Sequence, residues 1–245
     1  MACNGENLTL QDINKLLRFL KARKYIIYEK PYQLNIIGVR DTNTTPEKFD
    51  DKLNVLWKND NGNWEGREYA ITTDPSIKWL NRGGAGEFEG LQASAVLPSG
   101  QYVDTFKLGY HKGNYLALTQ AKDLCVYRDY DRNALLDFNT TDITCGMFGI
   151  NIHRAKSGGA DDGQGNTSVI GDYSAGCQVF QNYYCFGEFM SLVEKNKSMY
   201  GNEFFTYTLI DKWLQKQYAI KRIIYIGGIL VSLFLIGYGY YLMKK

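Results

Sequence analysis

Residues 102–128 read YVDTFKLGYHKGNYLALTQAKDLCVYR. Side-chain character along this stretch shifts towards a period of two, as it must when successive side chains point to opposite faces of a sheet. It divides into three predicted strands, Tyr102–Leu108, Tyr115–Gln120 and Leu124–Arg128, with the turn-forming run His111-Lys112-Gly113-Asn114 between the first two. Working outward, the same reading gives strands at Tyr32–Val39, Leu53–Lys58, Glu68–Thr73 and Leu91–Leu97, and a last one at Phe204–Ile210. Asn59-Asp60-Asn61-Gly62-Asn63, Gly83-Gly84-Ala85-Gly86 and Pro98-Ser99-Gly100 punctuate them. Short strands at this spacing predict a mainly β (α+β) chain, folded as a sandwich or a barrel-like sheet.

Three stretches break the pattern in favour of helix. Leu10, Ile13, Leu16, Leu17 and Leu20 recur at helical spacing behind Thr9 and Asp12, an N-cap and a third-position acid. This predicts an amphipathic helix over Leu10–Arg23, with a basic outer face of Lys15, Arg18, Lys21 and Arg23 and an apolar face suited to core packing. Phe186–Lys195 is a candidate short helix, and Asp211–Arg222 continues helically into the apolar segment that follows.

That segment, residues 223–243, runs 21 positions without a charge. As a helix it would be roughly 31 Å long, enough for a hydrocarbon core of about 30 Å. Tyr225 stands near one end and Tyr238, Tyr240 and Tyr241 near the other, where aromatic belts form. The N-terminus lacks the basic flank and apolar run of a signal peptide. The expected organisation is an N-terminal helix and lead-in (1–30), a β-rich domain (31–211), a basic juxtamembrane helix (212–222) and a transmembrane helix (223–243). A lipid membrane is then a partner, reached by a single-pass C-terminal anchor. Lys212, Lys216, Lys221 and Arg222 on the near flank place the domain on the cytoplasmic side by the positive-inside rule.

Composition excludes other classes. There are 28 basic and 26 acidic side chains, so no general field favours nucleic acid, and no nucleic-acid partner is expected. Apolar residues at 44% and charged residues at 22% exclude wholesale disorder. The five cysteines (Cys3, Cys125, Cys145, Cys177, Cys185) include no Cys-x-x-Cys pair, and only His111 and His153 could join them, so no metal site and no cofactor are expected. An odd count suits a reducing compartment, or at least one thiol kept free.

The chemistry concentrates in residues 146–180. Gly146-Met147-Phe148-Gly149-Ile150-Asn151-Ile152-His153-Arg154 reads as an apolar strand delivering a histidine. A polar, glycine-rich loop follows, and then Asp172-Tyr173-Ser174-Ala175-Gly176-Cys177-Gln178-Val179-Phe180. A thiol becomes a strong nucleophile when an imidazole takes its proton, here as a thiolate–imidazolium pair. Small residues before the cysteine allow close approach of a substrate, with the amides of Gly176 and Cys177 turned towards a developing oxyanion.

At these residues the chain resembles the L,D-transpeptidase (YkuD-like) family, whose signature is a histidine at a strand end followed, after a loop, by Ser/Thr-His-Gly-Cys. The resemblance covers residues 90–182 and is strongest over 146–180. It implies a β-rich fold and peptidoglycan stem peptides as substrate. It also implies a cysteine that forms a thioester with a peptide carbonyl and passes the acyl group to an amine or to water. Carried over by position, Cys177 is the nucleophile, His153 the base, Gly176 with Cys177 the oxyanion hole and Ser174 a supporting polar group. Three departures stand in the sequence. Ala175 replaces the second histidine, Gln178-Val179 lacks the usual arginine or asparagine, and the loop carrying Asp161 and Asp162 is longer.

Arg154, Tyr173, Gln178 and His111 are the candidate substrate-binding residues. Arg154 either meets a substrate carboxylate or pairs with Asp161 or Asp172, and His111 falls in a turn, at the surface or along a cleft. Asp104, Asp131, Asp172 and Tyr173 are all open as the group orienting His153. The expected function is a membrane-anchored cysteine peptidase, amidase or L,D-transpeptidase. A cytoplasmic domain is on the wrong side for peptidoglycan, and a phage virion membrane, with action during infection or lysis, removes the conflict. The alternative is a catalytically inert structural or interaction protein of a membrane assembly or membrane-containing virion.

Overall fold

The computed structural model describes residues 3, 5–41, 43–82, 94–129, 133–137, 143–157 and 162–212. In chain order it forms β1 (Glu6–Asn7), α1 (Leu10–Ala22), β2 (Asn35–Arg40), β3 (Asp51–Lys58), β4 (Trp64–Thr72), α2 (Ile77–Arg82), β5 (Ser94–Val96), β6 (Gly100–His111), β7 (Tyr115–Gln120), β8 (Leu124–Asp129), β9 (Ile143–Gly146), β10 (Ile152–Arg154), β11 (Gln178–Phe180), α3 (Tyr183–Tyr200) and β12 (Phe204–Asp211).

Eight strands run β4-β11-β10-β7-β6-β12-β2-β3, and β3 pairs back onto β4 from Asp51↔Ile71 to Lys58↔Trp64. The sheet is therefore a closed barrel, which leaves its own strands no open edge. Neighbours are antiparallel except β10–β11 and β12–β2, which are parallel. β1 adds outside the ring, on β4. A separate small sheet, β5-β8-β9, stands beside it.

Adjacent residues serve different cores. Ile36, Val55 and Leu209 join the main cluster with Tyr69, Phe106, Leu118, Ile152, Phe180 and Tyr207, on which α3 packs Phe186, Phe189 and Val193. Their chain neighbours Ile37, Leu56 and Ile210 face outward and are covered by Ile13, Leu16, Phe19 and Leu20 of α1. Each such side chain contributes about 1.5–3 kcal/mol on burial. The apolar face of α1 thus packs on the barrel, as its spacing predicts. Its cap is the expected one, with Thr9 Oγ1 accepting from the Asp12 amide at 3.2 Å, worth about 1 kcal/mol.

Some boundaries differ from the sequence reading. α3 is longer than Phe186–Lys195 because Asn182 caps its first turn and Gly201, in the left-handed region at φ 64°, ends it. Asp211 ends β12 rather than starting a helix. β1, β9, β11 and α2 are not anticipated by the sequence reading. No helix among the described residues is long and apolar enough to cross a membrane. The predicted span 223–243, the stretch 213–222 and the run Gly83–Gly86 lie outside the described residues.

The cysteines sort into two disulfides, Cys3–Cys185 and Cys125–Cys145, and one free thiol, Cys177. The first ties the N-terminus to α3 and the second bridges paired positions of β8 and β9.

Candidate active site

β10 and β11 lie side by side in parallel, with Ile152↔Gln178 and His153↔Val179 in register. The Gln178 amide donates to the Asn151 carbonyl at 2.9 Å, so Cys177 falls beside Asn151. Alternation puts Asn151, His153 and Cys177 on one face and Gln178 on the other. Cys177 and His153 are diagonal neighbours, roughly 8 Å apart at Cα on strand spacing and rise. They are not hydrogen-bonded to each other. The half-buried thiol instead donates to the Gly149 carbonyl and accepts from the Asn151 amide, both at 3.4 Å.

His153 is buried, and its tautomer is set by its own strand. Nδ1 lies 2.8 Å from the Arg154 carbonyl, an atom that can only accept, so Nδ1 carries the hydrogen and Nε2 the lone pair. The Tyr115 hydroxyl donates to the same carbonyl at 3.1 Å. The orienting group is therefore a main-chain carbonyl with a tyrosine behind it. Of the groups left open by the sequence, Asp172 is taken by Lys78 and Asp131 is outside the described residues.

His111 is not at the surface, although it opens the turn as read, its carbonyl accepting from the Asn114 amide at 2.9 Å. It is the last residue of β6, paired with Tyr115, and buried. The ring of His111 stacks on that of His153 with centroids 4.0 Å apart. Asn151 fixes its tautomer. Asn151 Oδ1 accepts from the Gln120 amide at 2.9 Å, so Nδ2 is the group 3.2 Å from His111 Nδ1 and must donate to it. His111 then carries its hydrogen on Nε2, the opposite arrangement to His153.

Electrostatics keep these groups neutral. Burial, then the charges of Lys112 and Arg154, push His111 down to about 4. Burial, then His111, push His153 down to about 3 against the bond to Arg154. Burial raises the Cys177 thiol to about 11, although the Asn151 amide and Lys112 favour its anion. The resting site holds a thiol and two neutral imidazoles, not the thiolate–imidazolium pair expected from sequence.

The turn before Cys177 is built from Ser174 and Gly176. Ser174 is fully buried, and its hydroxyl lies 2.7 Å from the Asp74 carbonyl, 3.0 Å from the Cys177 carbonyl and 3.2 Å from the Gly176 amide, which donates to it. Gly176 has φ 125°, and a Cβ there would fall 2.3 Å from the Ala95 carbonyl oxygen. Its amide is used within the turn, so of the two amides expected to form an oxyanion hole, that of Cys177 is the one without a partner among the described residues. Asp74 is itself held by the buried guanidinium of Arg40 at 3.3 Å. Glu47 clamps the preceding loop, accepting from the amides of Ile77, Ile170 and Gly171.

The other sequence candidates divide. Gln178 is fully buried, with its Oε1 accepting from Tyr207 at 2.7 Å, and so cannot bind substrate. Its faulty assignment follows from not recognising residues 178–180 as a strand, in which 178 must face away from 177. Arg154 sits over Tyr115 at 3.9 Å and Tyr183 at 5.1 Å, and makes no ion pair with a described carboxylate. Tyr173 is half-buried in a short 3-10 turn. Asn151, Gln120 and Tyr115 were missed. The available signal for Asn151 was its place two residues before His153, on the same face of an extended strand. An open groove of about 610 Å³, lined by Lys107, Gly109, Tyr110, Thr119 and Lys197, reaches the site at Asn151.

No family model, curated protein or solved structure matches this chain.

Proposed function

We propose that this chain is a membrane-anchored cysteine enzyme acting on peptidoglycan stem peptides, as a peptidase, amidase or L,D-transpeptidase. The observation that supports it best is the register of β10 on β11, which makes a free thiol and an imidazole with its lone pair on Nε2 diagonal neighbours on one face. In this reading the Cys177 thiol leaves its Gly149 contact, its proton passes to His153 Nε2, and sulfur bonds to a peptide carbonyl carbon. The Cys177 amide faces the oxyanion. As the C–N bond breaks, the imidazolium returns the proton to the departing amine, and a thioester remains. Water then releases an acid, or a second amine forms a new peptide bond.

Two disulfides favour an oxidising compartment, which is where peptidoglycan lies. With 223–243 as the anchor, a phage virion membrane or the outer side of a host membrane meets that condition. The test is incubation of detergent-solubilised full-length protein with purified peptidoglycan. Released or cross-linked muropeptides should appear, and vanish in Cys177→Ala and His153→Ala. Products unchanged in Cys177→Ala would sink the assignment.

One observation favours the inert binding protein instead: the thiol is held by two main-chain groups and its pKa is raised. In that case peptidoglycan would bind without mass change, equally in wild type and Cys177→Ala.

A further inference from the structure

Between Ile13 and Tyr28 the chain carries five basic residues and no acidic one. Lys15, Arg18 and Lys21 recur every three positions along the side of α1 opposite its packed residues, and Arg23 and Lys24 follow at its end. All five are exposed, and none is paired with a described carboxylate. The acids that flank this stretch are engaged elsewhere: Asp12 is bonded to Thr9, and Glu29 is paired with Lys58. Ile26, next along the chain, is 46% exposed, an apolar side chain beside the cations.

Where the chain leaves the barrel supplies the second observation. Lys15 and Lys212 line one groove of about 540 Å³ with Leu8, Thr9 and Asp12. Lys212 is the last described residue, so the described chain ends beside α1, and the uncharged stretch 223–243 begins eleven positions further along the sequence.

We propose that the outer face of α1 docks on a bilayer surface rich in anionic headgroups. The apolar face of the helix is committed to the barrel, so the contact is electrostatic, with Ile26 reaching the headgroup region. Juxtamembrane cations are attracted to such surfaces over about a Debye length, roughly 8–10 Å, and salt weakens them. The proposal is independent of the chemistry at Cys177. It draws on residues 223–243 only for why a bilayer lies close by.

The experiment mixes full-length protein with vesicles of phosphatidylcholine alone, or with about one third phosphatidylglycerol, and pulses each with a lysine-acetylating reagent read by mass spectrometry. Lys15, Lys21 and Lys24 should be labelled about threefold or more slowly on the anionic vesicles, and recover at high salt, while Lys107 and Lys197 keep their rates. In Arg18→Glu/Lys21→Glu, with its fold checked by circular dichroism, Lys15 and Lys24 should lose that lipid dependence. Equal rates on the two vesicles would overturn the proposal, whether or not the variant folds. Protection by a single-stranded oligonucleotide matching that by the anionic vesicles would overturn the lipid assignment.

Discussion

The rings of His111 and His153 lie 4.0 Å apart between centroids and 18° from parallel, with hydrogens on opposite nitrogens. The stack joins the end of β6 to β10 across β7. Both rings are neutral, because a charge on either would be buried and would face Lys112, Arg154 and the other ring.

This stack makes stability depend on pH. The folded pKa of His111, about 4, lies below its unfolded value of about 6.5, so the unfolded chain takes up a proton that the folded one refuses. Its contribution is present above 6.5 and is lost as pH falls towards 4, by about 1.4 kcal/mol per pH unit. Relative to wild type, His111→Phe should therefore gain stability on acidification across that window. Denaturant midpoints of both proteins at pH 7, 6 and 5 check the sign.

The alkylation profile of Cys177 follows from its raised pKa. Without reductant, one equivalent of iodoacetamide should add, at Cys177 alone, because the other four cysteines are bonded. The rate at pH 7.5 should be below that of an ordinary thiol with a pKa of about 8.5, and should climb past pH 10. A plateau near pH 6 would mean that a thiolate–imidazolium pair exists after all.

Gly176→Ala should be among the most damaging single substitutions. It places a Cβ against the Ala95 carbonyl and forces alanine into positive φ. The cost should be about 2 kcal/mol or more, read as a lower denaturant midpoint. Gly113→Ala, at φ 71° with open space around it, should cost less, about 1 kcal/mol.

The two disulfides should differ in worth. Cys3–Cys185 closes 182 positions of sequence and Cys125–Cys145 closes 20. On loop entropy the losses are about 5 and about 3 kcal/mol. Thermal melts of Cys3→Ser/Cys185→Ser and Cys125→Ser/Cys145→Ser give the order.

Local geometry was readable where turn-forming residues bound a run. Tyr115–Gln120, set off by Lys112-Gly113-Asn114, is found as read although Ala117 and Leu118 are both buried. At α1, Thr9 and the leucine spacing were enough. Where a strand is covered on both sides, as at Ile36-Ile37 or Val55-Leu56, the alternation vanishes and the sequence does not say which partner lies where. The pairing of β11 with β4 and the parallel pairing of β10 with β11, which close the barrel, are long-range matters of this kind. At the site, His153 and Cys177 stood out by residue type and spacing. Asn151 and the stacking role of His111 did not, since both depend on strands that meet only in three dimensions.

β12 lies between β6 and β2, and its last residue, Asp211, is in register with Arg40, whose guanidinium is 3.8 Å from the Asp211 carboxylate. A pull applied at Lys212 along the axis of β12 enters that strand at Asp211. It loads the ladders on both flanks in shear, all rungs together, instead of unzipping an edge rung by rung. β12 would thus leave the barrel only when its pairings with β6 and β2 yield together.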